Sequence, residues 1–185
     1  MGTKPEILHT QTLAKTRLFH IEQLDLRFSN GTEVQFERLR GSSSGAVLIV
    51  PMLNEDTVLL IREYAAGVDR YELSLPKGRI EQGEEILAAA NREIMEEVGY
   101  GSHALEHLTS LTVAPGYLST MTHIVLAQDL YPERREGDEP ESIDVIEWKL
   151  SELDKLLEHP ECTEARSIAA LFMTQKRLRS EENTE

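Results

Sequence analysis

The chain has 185 residues, a length that suits one domain with a small appendage and supports an ordinary hydrophobic core. It carries 33 acidic against 19 basic residues, a net charge of −14, which argues against a general nucleic-acid binder and against docking on anionic lipid. The single cysteine, Cys162, excludes an internal disulfide framework and fits a reducing compartment. The longest apolar run, residues 46–53, is too short to span a bilayer, and the first residues hold no apolar secretory stretch, so a cytoplasmic location with no membrane partner is expected.

In chain order, residues 17–40 alternate with period two. Leu24, Leu26 and Phe28 share one face, and Val34 and Phe36 follow beyond Asn30-Gly31. That pattern predicts a hairpin closed by a type I′ turn, with positive φ at both central residues. Residues 41–45 (GSSSG) read as a flexible joint. They divide the chain into an N-terminal β-hairpin arm, residues 1–43, and a main domain, residues 44–185. Residues 46–53 (AVLIVPML) read as a strand buried on both faces, with residues 58–61 as its hairpin partner across Asn54-Glu55-Asp56. Residues 71–83, with Pro76, Gly78 and Gly83, read as irregular.

A helix is predicted from Glu84 to Val98, where Leu87, Ala90, Ile94 and Val98 recur at helical spacing and Gly99 suits the C-terminal cap. Residues 105–113 and 121–130 read as strands, 132–142 as an acidic loop and 145–150 as a short strand. Ser151 with Asp154 resembles a capping box, with Leu153, Leu156 and Leu157 as the apolar face. Thr163 is a candidate cap for a final helix with Ile168, Leu171, Phe172 and Leu178 inward, and the tail from Ser180 is expected to fray. The mixture predicts an α+β fold with a mixed sheet between helices.

The helix from Glu84 carries the chemistry. At 100° per residue, Glu93, Glu96 and Glu97 fall on one face. Ala89, one turn earlier, reads as open space on that face. Like charges at these spacings repel, and they crowd the helix end where the dipole disfavours them. Bound divalent cations explain such an arrangement, since Mg²⁺ takes a few carboxylates together with waters and phosphate oxygens. A solvated acidic face is the competing reading.

The surrounding residues carry a resemblance. From Gly78 to Tyr100 the chain reads GRIEQGEEILAAANREIMEEVGY. It fits G-x5-E-x7-R-E-U-x-E-E-x-G-U, with U apolar, at each fixed position: Gly78, Glu84, Arg92, Glu93, Glu96, Glu97 and Gly99. The U sites are Ile94 and Tyr100, the latter a soft match. The chain thus resembles the Nudix hydrolase superfamily. The resemblance implies a Nudix α/β/α sandwich with a mixed central sheet and an N-terminal antiparallel β arm. It implies metal ligation by Glu93, Glu96, Glu97 and the Lys77 carbonyl, with two or three Mg²⁺ or Mn²⁺ ions per active site. Arg92 is implied to brace Glu84 and, with Glu96, to serve catalysis. The implied reaction is hydrolysis of a nucleoside diphosphate linked to another group. Gly78 is read as permitting the turn into the motif.

Pro115, sixteen residues after Gly99, the N-terminal β arm, the acidic residues 138–145 and the final helix resemble the ADP-ribose pyrophosphatase subgroup. Alone, Pro115 reads equally as a turn proline. The stretches IREYAAGVDRYEL, KGRIEQGE and AQDLYPE look closest to the bacterial branch that acts on ADP compounds. That likeness implies ADP-ribose, diadenosine di- and triphosphates and NADH as small-molecule substrates, AMP as product, and a homodimer with exchanged N-terminal strands. Glu139 aligns with the subgroup's general base, with Glu141 as second candidate. Substrate-binding candidates are Arg62, Tyr64, Pro115 and Gly116, although Arg62 can equally pair with Glu63 or another acid. Glu72 stands two residues further from the motif than the subgroup's usual entry, so no role carries over to it. Hydrolysis of another nucleotide sugar or of an RNA 5′ end, and a non-catalytic nucleotide sensor, are the alternatives.

Overall fold

A computed structural model describes residues 3–42, 44–137 and 139–182; residues 1–2, Ser43 of the joint, Asp138 of the acidic loop and residues 183–185 of the tail lie outside the described residues. The chain forms two compact units, Met1–Gly45 with Thr112–Met121, and Ala46–Leu111 with Thr122–Glu185.

In the first unit, β1 (Glu6–Lys15), β2 (His20–Arg27) and β3 (Glu33–Leu39) form an antiparallel sheet in that order. The predicted hairpin is β2–β3, with Leu24 opposite Phe36 and Leu26 opposite Val34. Its turn differs from the expected type I′. The loop spans residues 28–32, and only Gly31 takes a positive φ, at 84°. The Gly31 N–H closes on the Phe28 carbonyl at 2.9 Å. β1 was not foreseen, because two register shifts, at Ile7/His9 and Thr12/Ala14, break its alternation. The segment 112–121 lies along β3, where the Leu39 N–H donates to the Tyr117 carbonyl at 2.8 Å and the Gly41 N–H to Ser119 Oγ at 2.9 Å.

The second unit is a sandwich. β4 (Ala46–Pro51), β7 (Lys77–Arg79), β8 (Tyr100–Thr112) and β9 (Met121–Pro132) make a mixed sheet of order β7-β4-β9-β8, with β4 and β9 parallel. β5 (Thr57–Ala65), β6 (Arg70–Ser74) and β10 (Asp144–Lys149) make a second sheet of order β10-β5-β6. β4 is buried on both faces, as its unbroken apolar run predicts. Val47 and Ile49 join one core cluster with Ala89, Ala90, Ile94 and Val98 of helix α1 (Ile86–Glu97) and its C-cap. Leu48 and Val50 join the other, with α2 (Leu153–Leu157) and α3 (Ala165–Glu182).

Several local expectations are corrected. Residues 58–61 do not pair with β4 as a hairpin; β5 enters the other sheet, and the chain is joined across the turn by a Met52–Val58 bridge and by the Leu53 N–H donating to the Thr57 carbonyl at 2.8 Å. Residues 71–83 contain β6 and β7 rather than a purely irregular stretch. Ser151 does not form a capping box with Asp154, because its N–H and hydroxyl both donate to the Asp56 carboxylate, at 2.8 and 2.7 Å. Thr163 does not cap α3, because its hydroxyl donates to Glu72. Glu164 takes that place, accepting from the Ser167 N–H at 2.8 Å. Phe172 and Leu87 are exposed rather than inward. α3 continues through Ser180 to Glu182. Among the described residues, no helix is long and apolar enough to cross a membrane.

Candidate active site

α1 starts without a side-chain cap, and neither an acid in its first turn nor a base in its last complements the dipole. Its carboxylates gather at the C-terminal end. There Glu93 and Glu97 are buried and Glu96 is half-buried. Ala89 is fully buried in the core beside Ile94, not open space on the acidic face, because packing against β4 claims that side of the helix.

Arg92 organises the cluster. Its Nε and Nη2 each meet one Glu84 oxygen at 3.0 Å, Nη2 also reaches the Arg79 carbonyl at 2.9 Å, and Nη1 meets Glu93 at 2.8 Å and Glu96 at 3.0 Å. These bonds, with Glu84 first, hold the guanidinium more firmly charged than usual. The same bonds keep the Glu84 carboxyl below its ordinary range despite partial burial. The predicted brace between Glu84 and Arg92 is therefore present, and it ties the loop before α1 to the helix.

The other two carboxyls move the opposite way. Burial raises Glu93, against the pull of Arg92 and with help from the nearby charges of Glu96 and Glu139. Burial pushes Glu97 up to about 8, although the Lys77 charge and backbone N–H favour its ionised form. That N–H donates to Glu97 Oε2 at 2.8 Å. The Lys77 ammonium turns to Glu63 Oε2 at 2.8 Å. Gly78 sits in β7 opposite Val47 and does not make a turn. A Cβ there would fall on the Glu93 carboxylate, so close approach, not turn geometry, calls for glycine.

These residues suit hard divalent cations. They offer only carboxylate and carbonyl oxygens, and burial holds Glu93 and Glu97 toward their protonated forms, which a bound cation would reverse by supplying the positive charge that Arg92 and Lys77 do not. Among the described residues, no three His, Cys, Asp or Glu side chains already converge on one point. Arg92 Nη1 draws Glu93 and Glu96 to itself, while the Lys77 N–H takes Glu97.

The acidic loop lies beside this helix. A Cβ on Gly137 would stand 2.5 Å from Glu139 Oε2 and 3.6 Å from Glu96 Cβ. Glu139 also lines a small pocket of about 150 Å³ with Arg62, Glu63, Tyr64 and Glu141. Arg62 is committed to an ion pair, and the acid is Glu161, through two bonds of 2.8 Å, rather than Glu63. Tyr64 donates to Asp69 at 2.6 Å. Pro115 and Gly116 belong to the first unit, where they line a groove with Leu24, Leu26, Phe36 and Arg38. Glu72 accepts from Arg70 and Thr163. His107 and His123 share the Ser110 hydroxyl, at 3.1 and 2.8 Å, and His103 stacks on Tyr131. Tyr71, on β6 beside β5, donates to Glu141 of the acidic loop, a contact for which the sequence pattern of residues 71–83 gives no signal.

The sandwich, the acidic helix and the Glu84–Arg92 brace together define a Nudix hydrolase. The chain belongs to that family: residues 43–172 match the NUDIX domain, and residues 5–38 match the NudE-type Nudix hydrolase N-terminal domain. It is 48% identical over 178 residues to the ADP compounds hydrolase NudE of Escherichia coli, covering 96% of this chain and 95% of that one. It is 30% identical over 171 residues to an ADP-ribose pyrophosphatase of Bacillus subtilis, covering 89% and 91%. A crystal structure of an ADP compounds hydrolase superposes with a TM-score of 0.92 at 47% identity, covering 98% of this chain and 97% of that chain.

Proposed function

We propose that this Nudix hydrolase cleaves the diphosphate linkage of ADP-linked compounds, ADP-ribose, diadenosine di- and triphosphates and NADH among them, and releases AMP. The observation that carries the reading is the carboxylate face of α1, with Glu93 and Glu97 buried, Glu96 half-buried, and Glu93 and Glu96 braced by Arg92. Full-length likeness to an enzyme named for ADP compounds supports the substrate class. Glu93, Glu96, Glu97 and the Lys77 carbonyl would hold two or three divalent cations, Mg²⁺ first and Mn²⁺ as the other candidate. When bound, these ions supply positive charge against the diphosphate oxygens and lower the pKa of a water.

The chain's own groups do the rest. Arg92 fixes the rotamers of Glu93 and Glu96 while Glu84 fixes Arg92. Glu139, on a loop next to Glu96, accepts the proton of the attacking water as general base. Glu141 is the second candidate for that task. Arg62 and Tyr64 form the wall facing the loop and meet the part of the substrate beyond the diphosphate. Pro115 and Gly116 are proposed substrate contacts by likeness to the subgroup alone.

The enzyme is proposed to be a cytoplasmic homodimer that exchanges N-terminal strands. Ile7, Val34 and Phe36 of the first unit are exposed apolar residues, which supports a covering partner. A substrate panel tests the reading. AMP release from ADP-ribose, NADH and diadenosine triphosphate with Mg²⁺, lost in EDTA, is the expected outcome. Turnover of GDP-mannose or dGTP in preference to these would overturn the substrate class.

A further inference from the structure

The loop that carries Glu139 is fastened at both ends. At its start the Glu133 N–H donates to the Gly99 carbonyl at 3.1 Å, and the Arg135 N–H to the Met95 carbonyl at 3.0 Å. The Arg135 bond takes up a carbonyl left open in the last turn of α1, and the Glu133 bond one just beyond the helix. At the far end the Tyr71 hydroxyl donates to Glu141 Oε1 at 2.8 Å. That bond lies two residues from Glu139.

Tyr71 is itself held in place. It stands opposite Tyr64 across β5 and β6, with the rings edge-on at 5.7 Å. The Arg62 guanidinium lies 4.3 Å over its ring, and Arg62 is fixed by its two bonds to Glu161. An aromatic face under a tethered cation, with a second ring at its edge, leaves the phenol little freedom of direction.

The choice of donor has a chemical reason. Glu139 lies close enough to Glu93 to act on its charge, and more carboxylates follow along the loop. A lysine or arginine would bind Glu141 more tightly, but it would add positive charge and lower the basicity of the neighbouring carboxylates. A phenol donates a hydrogen bond and adds no charge. The bond to Glu141 also raises the phenol above its ordinary range, so it stays a donor at neutral pH.

We infer that Tyr71 is a positioning residue for hydrolysis: by holding Glu141, its hydroxyl sets where Glu139 stands beside the α1 carboxylates. The inference rests on Glu139 as the loop carboxylate that acts.

The test compares steady-state kinetics on ADP-ribose for Tyr71→Phe, Glu141→Ala, Glu141→Gln, the Tyr71→Phe/Glu141→Ala double variant and Glu139→Gln. Loss of the bond from either side is expected to lower kcat about tenfold and leave KM within about twofold. The double variant is expected to be no worse than either single one, because both remove the same bond. Glu141→Gln keeps an acceptor oxygen for the Tyr71 hydroxyl, so its kcat is expected to exceed that of Glu141→Ala, and a kcat no higher than that of Glu141→Ala overturns the inference. Glu141→Ala acts on an exposed loop, so it serves where Tyr71→Phe fails to fold. Wild-type kcat in Tyr71→Phe, additive losses in the double variant, or a rise in KM alone overturns the inference. Full activity in Glu139→Gln overturns the reading of Glu139 and the inference with it. Loss in Glu139→Gln with wild-type kcat in Tyr71→Phe overturns the inference alone.

Discussion

Gly78 and Glu93 occupy adjoining space so closely that a single methyl on the glycine would coincide with the glutamate's carboxylate. The neighbour that must yield is one of the proposed metal ligands. Gly78→Ala is therefore expected to rotate Glu93 away from Arg92 and to lower kcat by about a hundredfold, with a stability loss of about 1–2 kcal/mol. Kinetics at several Mg²⁺ concentrations check this. A variant with parental kcat and parental Mg²⁺ dependence would show that Glu93 need not hold its position.

Arg92 offers a second test. Its side chain is one-fifth exposed and serves Glu84, Glu93, Glu96 and the Arg79 carbonyl together. Arg92→Ala leaves three carboxylates without their cation and is expected to cost about 3 kcal/mol. Arg92→Lys restores the charge but not the fork that spans both Glu84 oxygens, so it recovers only part of that loss. Urea unfolding of the two variants decides. Equal stability of Arg92→Lys and the parent would contradict the bracing role.

Burial of Glu97 makes the metal-free protein sensitive to pH in a defined direction. Its carboxyl rises from 4.5 to about 8 on folding, so the folded chain keeps a proton that the unfolded chain has released. Stability therefore falls as pH rises through that window and levels off above about 8. Glu84, held below its ordinary range by Arg92, works oppositely and loses its contribution only as pH falls below 4.5. Urea midpoints in EDTA across pH 5–8 are expected to decline for the parent and to decline less for Glu97→Gln. Parallel slopes would remove Glu97 as their source.

The first unit bears on assembly. Phe36 is 45% exposed and shares a sheet face with Leu24, Leu26 and Val34. Phe36→Asp is expected to shift the proposed dimer toward monomer in sedimentation velocity, by placing an unpaired charge where an apolar contact is buried. An unchanged sedimentation profile would mean that this face is not covered by a second copy.

Legibility in the sequence followed local physics. The β4 run and the α1 face were readable because burial on two sides and a 3.6-residue period each leave a pattern in sequence. The Nudix motif was readable because its charges recur at fixed spacing. Long-range choices left no such trace. Nothing local tells residues 58–61 to cross to the other sheet, and nothing near Ser151 announces Asp56 as its partner, nearly a hundred residues away. β1 was hidden by its bulges. Ala89 looked like space on an acidic face because helix periodicity gives an angle but not the neighbour, and β4 supplies the neighbour. Glu161 as the partner of Arg62 and Tyr71 as the partner of Glu141 are likewise products of folding, each joining positions far apart in the chain.

The most direct test of the account is AMP release from ADP-ribose by the parent and by Glu97→Gln, each with Mg²⁺ and with EDTA, alongside thermal unfolding of both. The account predicts Mg²⁺-dependent release by the parent and a loss of about a thousandfold in a Glu97→Gln protein that still unfolds cooperatively. Full release by folded Glu97→Gln, with unchanged Mg²⁺ dependence, would contradict it.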